Sequence, residues 1–256
     1  MNVLEQIVAN KRRELEVLHQ QYSIDYFRES DNFKRKSLSL SNFINNVDFG
    51  IIAEIKRRSP SGGDIKTGLD VAEEASFYEQ NGASGISILT DNKYFGGSIS
   101  DIINARNVVS LPLLRKEFII DEIQLYEAKA AGADAILLIA AILTKDEADF
   151  LTLTAQSLGL EVLFEVHTQE ELDKIPMHAN LVAVNNRDLK AQKTSLQHSF
   201  DLIKDLPKHI PAISASGIKT REDIEALKAA GFIGALVGES ILREGHLAEL
   251  TRKTRS

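Results

Sequence analysis

Two kinds of apolar pattern alternate along the chain. Eight short runs are apolar almost without interruption: Ile51–Ile55, Gly85–Thr90, Pro112–Lys116, Ala135–Ala140, Glu161–Val166, Leu181–Asn185, Pro211–Ser214 and Gly234–Gly238. Runs this short and continuous are the mark of strands covered on both faces. Between them the apolar positions fall at helical spacing, over Val71–Gln80, Ile99–Val108, Glu122–Ala131, Lys145–Ser157, Gln169–Ile175, Leu196–Leu206, Arg221–Ala230 and a C-terminal run from Ser240. One phrase recurs at the joins: E-Q-N-G-A-S-G-I-S-I-L-T, K-A-A-G-A-D-A-I-L-L-I-A and K-A-A-G-F-I-G-A-L-V-G, with Gly82, Gly132 and Gly231 after the helix tail. Glycine there takes a left-handed conformation at no steric cost and turns the chain into the next strand.

Strands alternating with helices predict a parallel sheet with helices on its faces. Eight units at roughly 26-residue spacing predict a closed (β/α)8 TIM barrel, which usually needs about 250 residues. A doubly wound open sheet is the alternative; no G-x-G-x-x-G follows the first strand to support it. We expect a single domain over 1–256, with 1–45 as a helical N-terminal extension. Val3, Leu4, Ile7, Val8, Leu15 and Leu18 lie near helical spacing and predict one amphipathic helix there. It either closes the barrel bottom or borders the site, and the sequence does not choose.

Composition narrows the function. The chain has 256 residues, 43% of them hydrophobic, and a formal net charge of −7. That charge disfavours nucleic-acid binding, which needs a basic face. There is no cysteine, so disulfides, thiolate zinc sites and cysteine nucleophiles are excluded, as suits a reducing cytoplasm. The start M-N-V-L-E-Q-I-V-A-N-K-R-R-E-L-E is too charged for a signal peptide. No apolar run nears the roughly 20 residues of a membrane span.

Polar residues then stand out inside apolar strands. Glu54 and Lys56 lie two apart, so they share a strand face with Ile52. Lys116, Glu165 and Asn185 sit at other strand ends, where barrel enzymes keep their chemistry. One such residue is ordinary. Several delivered to one mouth predict an acid–base site. The six histidines, His19, His167, His178, His198, His209 and His246, show no metal-ligand spacing and are read as surface or core residues. After the last two strands come small residues and glycines, in Ile213-Ser-Ala-Ser-Gly-Ile218 and Ala235-Leu-Val-Gly-Glu-Ser240. These predict a phosphate cup of backbone N–H groups, hence a small phosphorylated substrate.

The segments I-I-A-E-I-K-R-R-S-P-S-G-G, S-I-L-T-D-N-K-Y-F-G-G-S, L-L-R-K-E-F-I-I-D-E-I-Q, V-N-N-R-D-L and S-A-S-G-I together resemble the indole-3-glycerol-phosphate synthase family, over almost the whole chain. The resemblance implies a carbon–carbon lyase of tryptophan biosynthesis, working on 1-(2-carboxyphenylamino)-1-deoxyribulose 5-phosphate without cofactor or metal. It implies Lys116 as the general acid, Lys56 as the partner of the substrate carboxylate, Glu54 and Glu165 as the carboxylates that orient the lysines and handle protons, and Asn185 on the sugar chain. Ser59, Ser216, Gly217, Gly238 and Glu239 match positions near the phosphate or sugar hydroxyls. Phe95 and Phe118 match aromatics beside the substrate ring, with Arg187 and Leu189 on a neighbouring loop. Burial and a second lysine are expected to depress the acid's pKa. A monomer is expected, with other tryptophan-pathway enzymes as candidate partners.

Two positions depart from the family pattern. Gly62 stands where a lysine is frequent, and Ala215 where S-E-S-G-I has glutamate. Ala215 suggests an alternative, a catalytically silent phosphosugar-binding barrel. A sister isomerase, phosphoribosylanthranilate isomerase, would need a cysteine that this chain lacks.

Overall fold

In the computed structural model, all residues are described except 1, 61, 67, 188–192, 239–240, 242–246 and 252–256. Eight parallel strands close a barrel: β1 (Gly50–Ile55), β2 (Gly85–Leu89), β3 (Leu113–Lys116), β4 (Ala135–Ile139), β5 (Glu161–Val166), β6 (Leu181–Asn185), β7 (Ala212–Ala215) and β8 (Gly234–Val237). Each neighbour in the barrel is the next strand in sequence, and β8 pairs with β1 to close it. Every strand agrees with its predicted run to within a residue. The open-sheet alternative is thereby excluded.

The pleat sorts side chains into two cores. Ile52, Leu114, Leu137, Leu163, Ala183, Ile213 and Leu236 point into the barrel, while Ile51, Ala53, Ile55, Ile86 and Ile88 join the larger layer under the helices. Gly82, Gly132 and Gly231 all take positive φ, at 84°, 98° and 107°. Each thus ends its helix in the manner the recurring phrase predicts.

The N-terminal segment corrects the expectation of one helix. It holds four: α1 (Val3–Gln21), then Ile24–Arg28, Asp31–Lys34 and Leu40–Asn45. The helices break where Tyr22 and Arg35 are extended and where Ser23 and Ser39 cap the next turn with their side chains. The two alternatives for this segment are both realised, by different helices. Leu40 and Ile44 are fully buried and plug the barrel bottom. They fit because β1 and β2 begin with glycine: a Cβ on Gly85 would lie 2.5 Å from Leu40 Cδ1, and one on Gly50 2.8 Å from Ile44 Cγ2. Val3, Leu4 and Ile7 of α1 instead reach the mouth at the opposite end.

Some helical expectations shorten. Gln169–Lys174 is a 3-10 helix, and the run predicted to end at Leu206 stays helical only over Gln197–Leu202. Of the C-terminal run, Leu247–Thr251 is a described helix; Ser240 lies outside the described residues. The sequence reading also passed over a small ribbon after β1, Arg58–Ser59 with Gly63–Asp64, and a helical turn at Asn92–Phe95.

Candidate active site

A cavity of about 460 Å³ opens at the C-terminal ends of the strands, and all eight strand ends contribute to its lining. Glu54, Lys56, Ser59, Phe95, Lys116, Phe118, Glu165, Asn185, Arg187, Ser216, Gly217 and Gly238 all line it. Leu189 and Glu239 lie outside the described residues.

At its floor, Glu54 holds both lysines. Its Oε1 accepts from Lys56 Nζ at 2.7 Å and its Oε2 from Lys116 Nζ at 2.8 Å. Burial would raise the Glu54 carboxyl, but Lys116 and Lys56 outweigh it and hold the group at about 2. Burial would likewise lower Lys116; Glu54 and Glu165 overcome that, and its pKa is raised above the usual 10.5. The expected depression of this lysine is therefore overturned. The reason is geometric: two carboxylates surround the ammonium, a feature that strand parity alone cannot reveal.

Glu165 stands two strands from Lys116, beyond β4, and is also held at about 2, where burial is opposed by His167 first and then by Lys116. Asn185 Oδ1 accepts from the backbone N–H of Arg187 at 3.1 Å, which turns the chain after β6. Leu89, Leu137, Ile139, Leu236 and Val237 supply apolar wall, and the rings of Phe95 and Phe118 stand 6.0 Å apart on one side. Arg57 braces the Phe95 turn, with a two-point ion pair to Asp101 (2.6 and 2.9 Å) and a bond to the Gly96 carbonyl.

The cup after β7 is built on unusual backbone. Ser216 has φ +69°, the only described non-glycine residue with positive φ, and Gly217 follows at +82°. Such conformations persist only when neighbours over-determine them. Here Asn186 does so: its Nδ2 donates to Ser214 Oγ and to the Ser216 carbonyl, while its Oδ1 accepts from Ser199. On the β8 side, a Cβ on Gly238 would meet Glu54 Oε1 at 2.8 Å, so only glycine leaves that carboxylate its place. Ala215 is fully buried in the barrel-interior cluster, in register with Asn185 and Leu236.

The sequence reading missed three ionisable groups that line the cavity, Glu117, His167 and Lys219. His167, assigned above to surface or core, lines the cavity. Its Nε2 lies 3.3 Å from Glu165 Oε1 and its Nδ1 3.6 Å from Glu171 Oε2. Burial opposes its charge, but the two carboxylates push its pKa up to about 9. The signal was present: His167 follows Glu165 by two residues, the same spacing that singled out Glu54 and Lys56. Asn186 was missed as well, although it adjoins Asn185.

The family model described as indole-3-glycerol phosphate synthase matches residues 4–254. A protein of that name from Bacteroides thetaiotaomicron is 45% identical over 242 residues, covering 94% of this chain and 93% of its own length. Another, from Desulfosudis oleivorans, is 50% identical over 76% of this chain and 74% of its own. Among solved structures, the tryptophan synthase alpha subunit of Legionella pneumophila superposes with a TM-score of 0.56 at 20% identity, over 83% of this chain and 88% of that one. That last likeness concerns the barrel alone. With the family pattern running through both the extension and the barrel, the chain belongs to the indole-3-glycerol phosphate synthase family.

Proposed function

We propose that this cavity takes 1-(2-carboxyphenylamino)-1-deoxyribulose 5-phosphate and converts it to indole-3-glycerol phosphate, carbon dioxide and water. The observation that carries the reading is Glu54 holding Lys56 and Lys116 side by side at the floor of a cavity that also has an apolar wall. A substrate with a carboxylate at one end, an aromatic ring in the middle and a phosphate at the other matches that order of chemistry. Phe95 and Phe118 flank the ring, Lys56 meets the carboxylate, and Ser59, Ser216, Gly217 and Gly238 surround the phosphate and sugar hydroxyls.

In this reading the ring carbon that bears the carboxylate attacks the ketone carbon of the sugar chain. Lys116 gives its proton to the ketone oxygen as the new bond forms. Carbon dioxide then leaves, and its bonding electrons restore the aromatic ring. The hydroxyl made in the first step departs as water with a proton from Lys56, and a carboxylate takes the proton lost from the neighbouring carbon. Glu165 is placed in that last role, with Glu54 orienting both lysines. Its raised pKa keeps Lys116 charged in the free enzyme, so the acid meets the substrate with its proton in place. Buried donors aimed at developing charge are worth far more than in water.

We further propose a cytoplasmic, single-domain monomer that needs no cofactor, with other tryptophan-pathway enzymes as candidate partners. No described helix is long and apolar enough to cross a membrane. The silent-barrel alternative keeps one observation in its favour, since Ala215 brings no polar atom to the site. The test is appearance of indole fluorescence with release of carbon dioxide from the substrate, slowed competitively by inorganic phosphate. Fluorescence without phosphate competition would contradict the cup.

A further inference from the structure

We propose that His167 is a positioning residue for Glu165: standing between Glu165 and Glu171, its ring gives the Glu165 carboxylate a cation on its Oε1 side and so keeps that group charged and oriented. This rests on the reading of Glu165 as the group that takes a proton. Three observations meet here. First, the Glu165-Val-His167 spacing turns both side chains to the cavity from the end of β5, and both line it. Second, His167 is only 6% exposed and stands between two carboxylates, Glu165 at 3.3 Å and Glu171 at 3.6 Å. Third, Glu165 Oε2 and both His167 ring nitrogens are buried with no hydrogen-bond partner among the described residues, so the ring acts on the two carboxylates through charge.

The second carboxylate comes from a separate element. Glu171 belongs to the 3-10 helix Gln169–Lys174, and its Oε2 also accepts from the His167 backbone N–H at 2.6 Å. His198, from the helix Gln197–Leu202, bonds through Nε2 to the His167 carbonyl. The charged groups facing the imidazole are thus Glu165 and Glu171, with Lys116 acting on Glu165 from the far side. Among the described residues no cluster of three His, Asp or Glu is arranged to hold a metal ion. The row is one of alternating charge. A buried carboxylate next to a fixed cation keeps both its charge and its orientation, and outer partners of this kind are commonly worth about 10–100-fold in activity at metal sites.

The experiment compares pH profiles of kcat and kcat/KM for the wild-type chain, Glu165→Gln, His167→Gln and Glu171→Gln. The expected result for His167→Gln is a kcat lower by about 10-fold or more, with KM little changed and the acid limb of kcat/KM moved to higher pH. The limb moves up because the Glu165 carboxylate loses the cation that favours it. Glu171→Gln should show a smaller shift in the same direction. An unmoved acid limb in a folded His167→Gln protein overturns the inference. So does a uniform loss at every pH. If Glu165→Gln itself keeps wild-type turnover, the reading of Glu165 fails instead, whatever His167 shows. Nitrogen-15 spectra of the intact wild-type chain provide a check that needs no variant. At pH 7 both ring nitrogens of His167 should be protonated, and a neutral ring overturns the proposal.

Discussion

The carboxylate of Glu54 reaches Lys116 Nζ at 2.8 Å although their strands are not neighbours. Strand β2 stands between them, and its residue in register with Glu54 is Ser87, small and fully buried. A larger side chain there would come between the two charges. The same carboxylate holds Lys56, so one glutamate sets the spacing of both ammonium groups.

Lys116→Gln should remove the acid while keeping most of the side-chain volume. The expected loss in kcat is roughly 10²–10⁴-fold, the usual contribution of a general acid, with the thermal midpoint close to wild type. Turnover above about a third of wild type would remove Lys116 from the acid role. Lys116→Arg should fail almost as badly, because a guanidinium holds its proton too tightly to donate it.

Gly238→Ala should act on catalysis through Glu54. The added methyl would lie 2.8 Å from Glu54 Oε1 and 3.1 Å from its Cβ, so the carboxylate must turn away from Lys56. A misplacement of about 1 Å can cost on the order of 10²-fold. Steady-state kinetics should show the loss mainly in kcat. Unchanged kcat would mean that Glu54 has room to spare.

Stability should fall at both ends of the pH range. Glu54 and Glu165 titrate at about 2 in the folded chain, below the ordinary 4.5. Carboxylates shifted down stabilise fully above their unfolded pKa, and that support is lost as pH falls from 4.5 toward 2. His167 is shifted the other way, to about 9 from 6.5. Its contribution is complete below 6.5 and lost as pH rises toward 9. Urea midpoints measured across pH should show both declines, and His167→Gln should flatten the alkaline one.

Lys11 should prove costly to remove. It lies on α1, one turn past the cavity-lining Ile7, and is buried at 5% exposure. Its Nζ is 3.2 Å from Asp91, 3.0 Å from Glu117 and 2.6 Å from Glu14. Lys11→Met would leave buried carboxylates without their cation, a change that typically costs about 3–5 kcal/mol. Glu117 follows Lys116 directly and accepts from the Phe118 backbone N–H. Denaturant melts should therefore show lower stability, and kinetics a higher KM as α1 leaves the mouth. An unchanged melt would mean that α1 is held by apolar contacts alone.

The barrel was legible because parallel strands are buried on both faces, so each left a short, nearly continuous apolar run, repeated eight times between helical patterns. Glu54, Lys56, Lys116, Glu165 and Asn185 were legible for the converse reason, as polar residues in places where apolar ones are the rule. What escaped depends on distance through space. The raised pKa of Lys116 needs Glu54 and Glu165, each two strands away on either side. His167 escaped although its spacing was visible, because histidines were judged by metal-ligand spacing and not by strand face. The four-helix N-terminal segment reads as one helix because Leu15 and Leu18 continue the apolar stripe up to the break at Tyr22. Leu189 and Glu239 lie outside the described residues, so nothing in the fold bears on them.

The central claim is that the paired lysines and the two surviving carboxylates suffice for the reaction without a glutamate at position 215. Its most direct test is the pH–rate profile of indole formation for the wild-type chain beside that of Ala215→Glu. The account expects turnover by the wild-type chain near neutral pH, and at most a modest gain or a shifted optimum in Ala215→Glu. A wild-type chain that forms no indole at any pH, with turnover appearing only in Ala215→Glu, would contradict it and leave a barrel that binds without reacting.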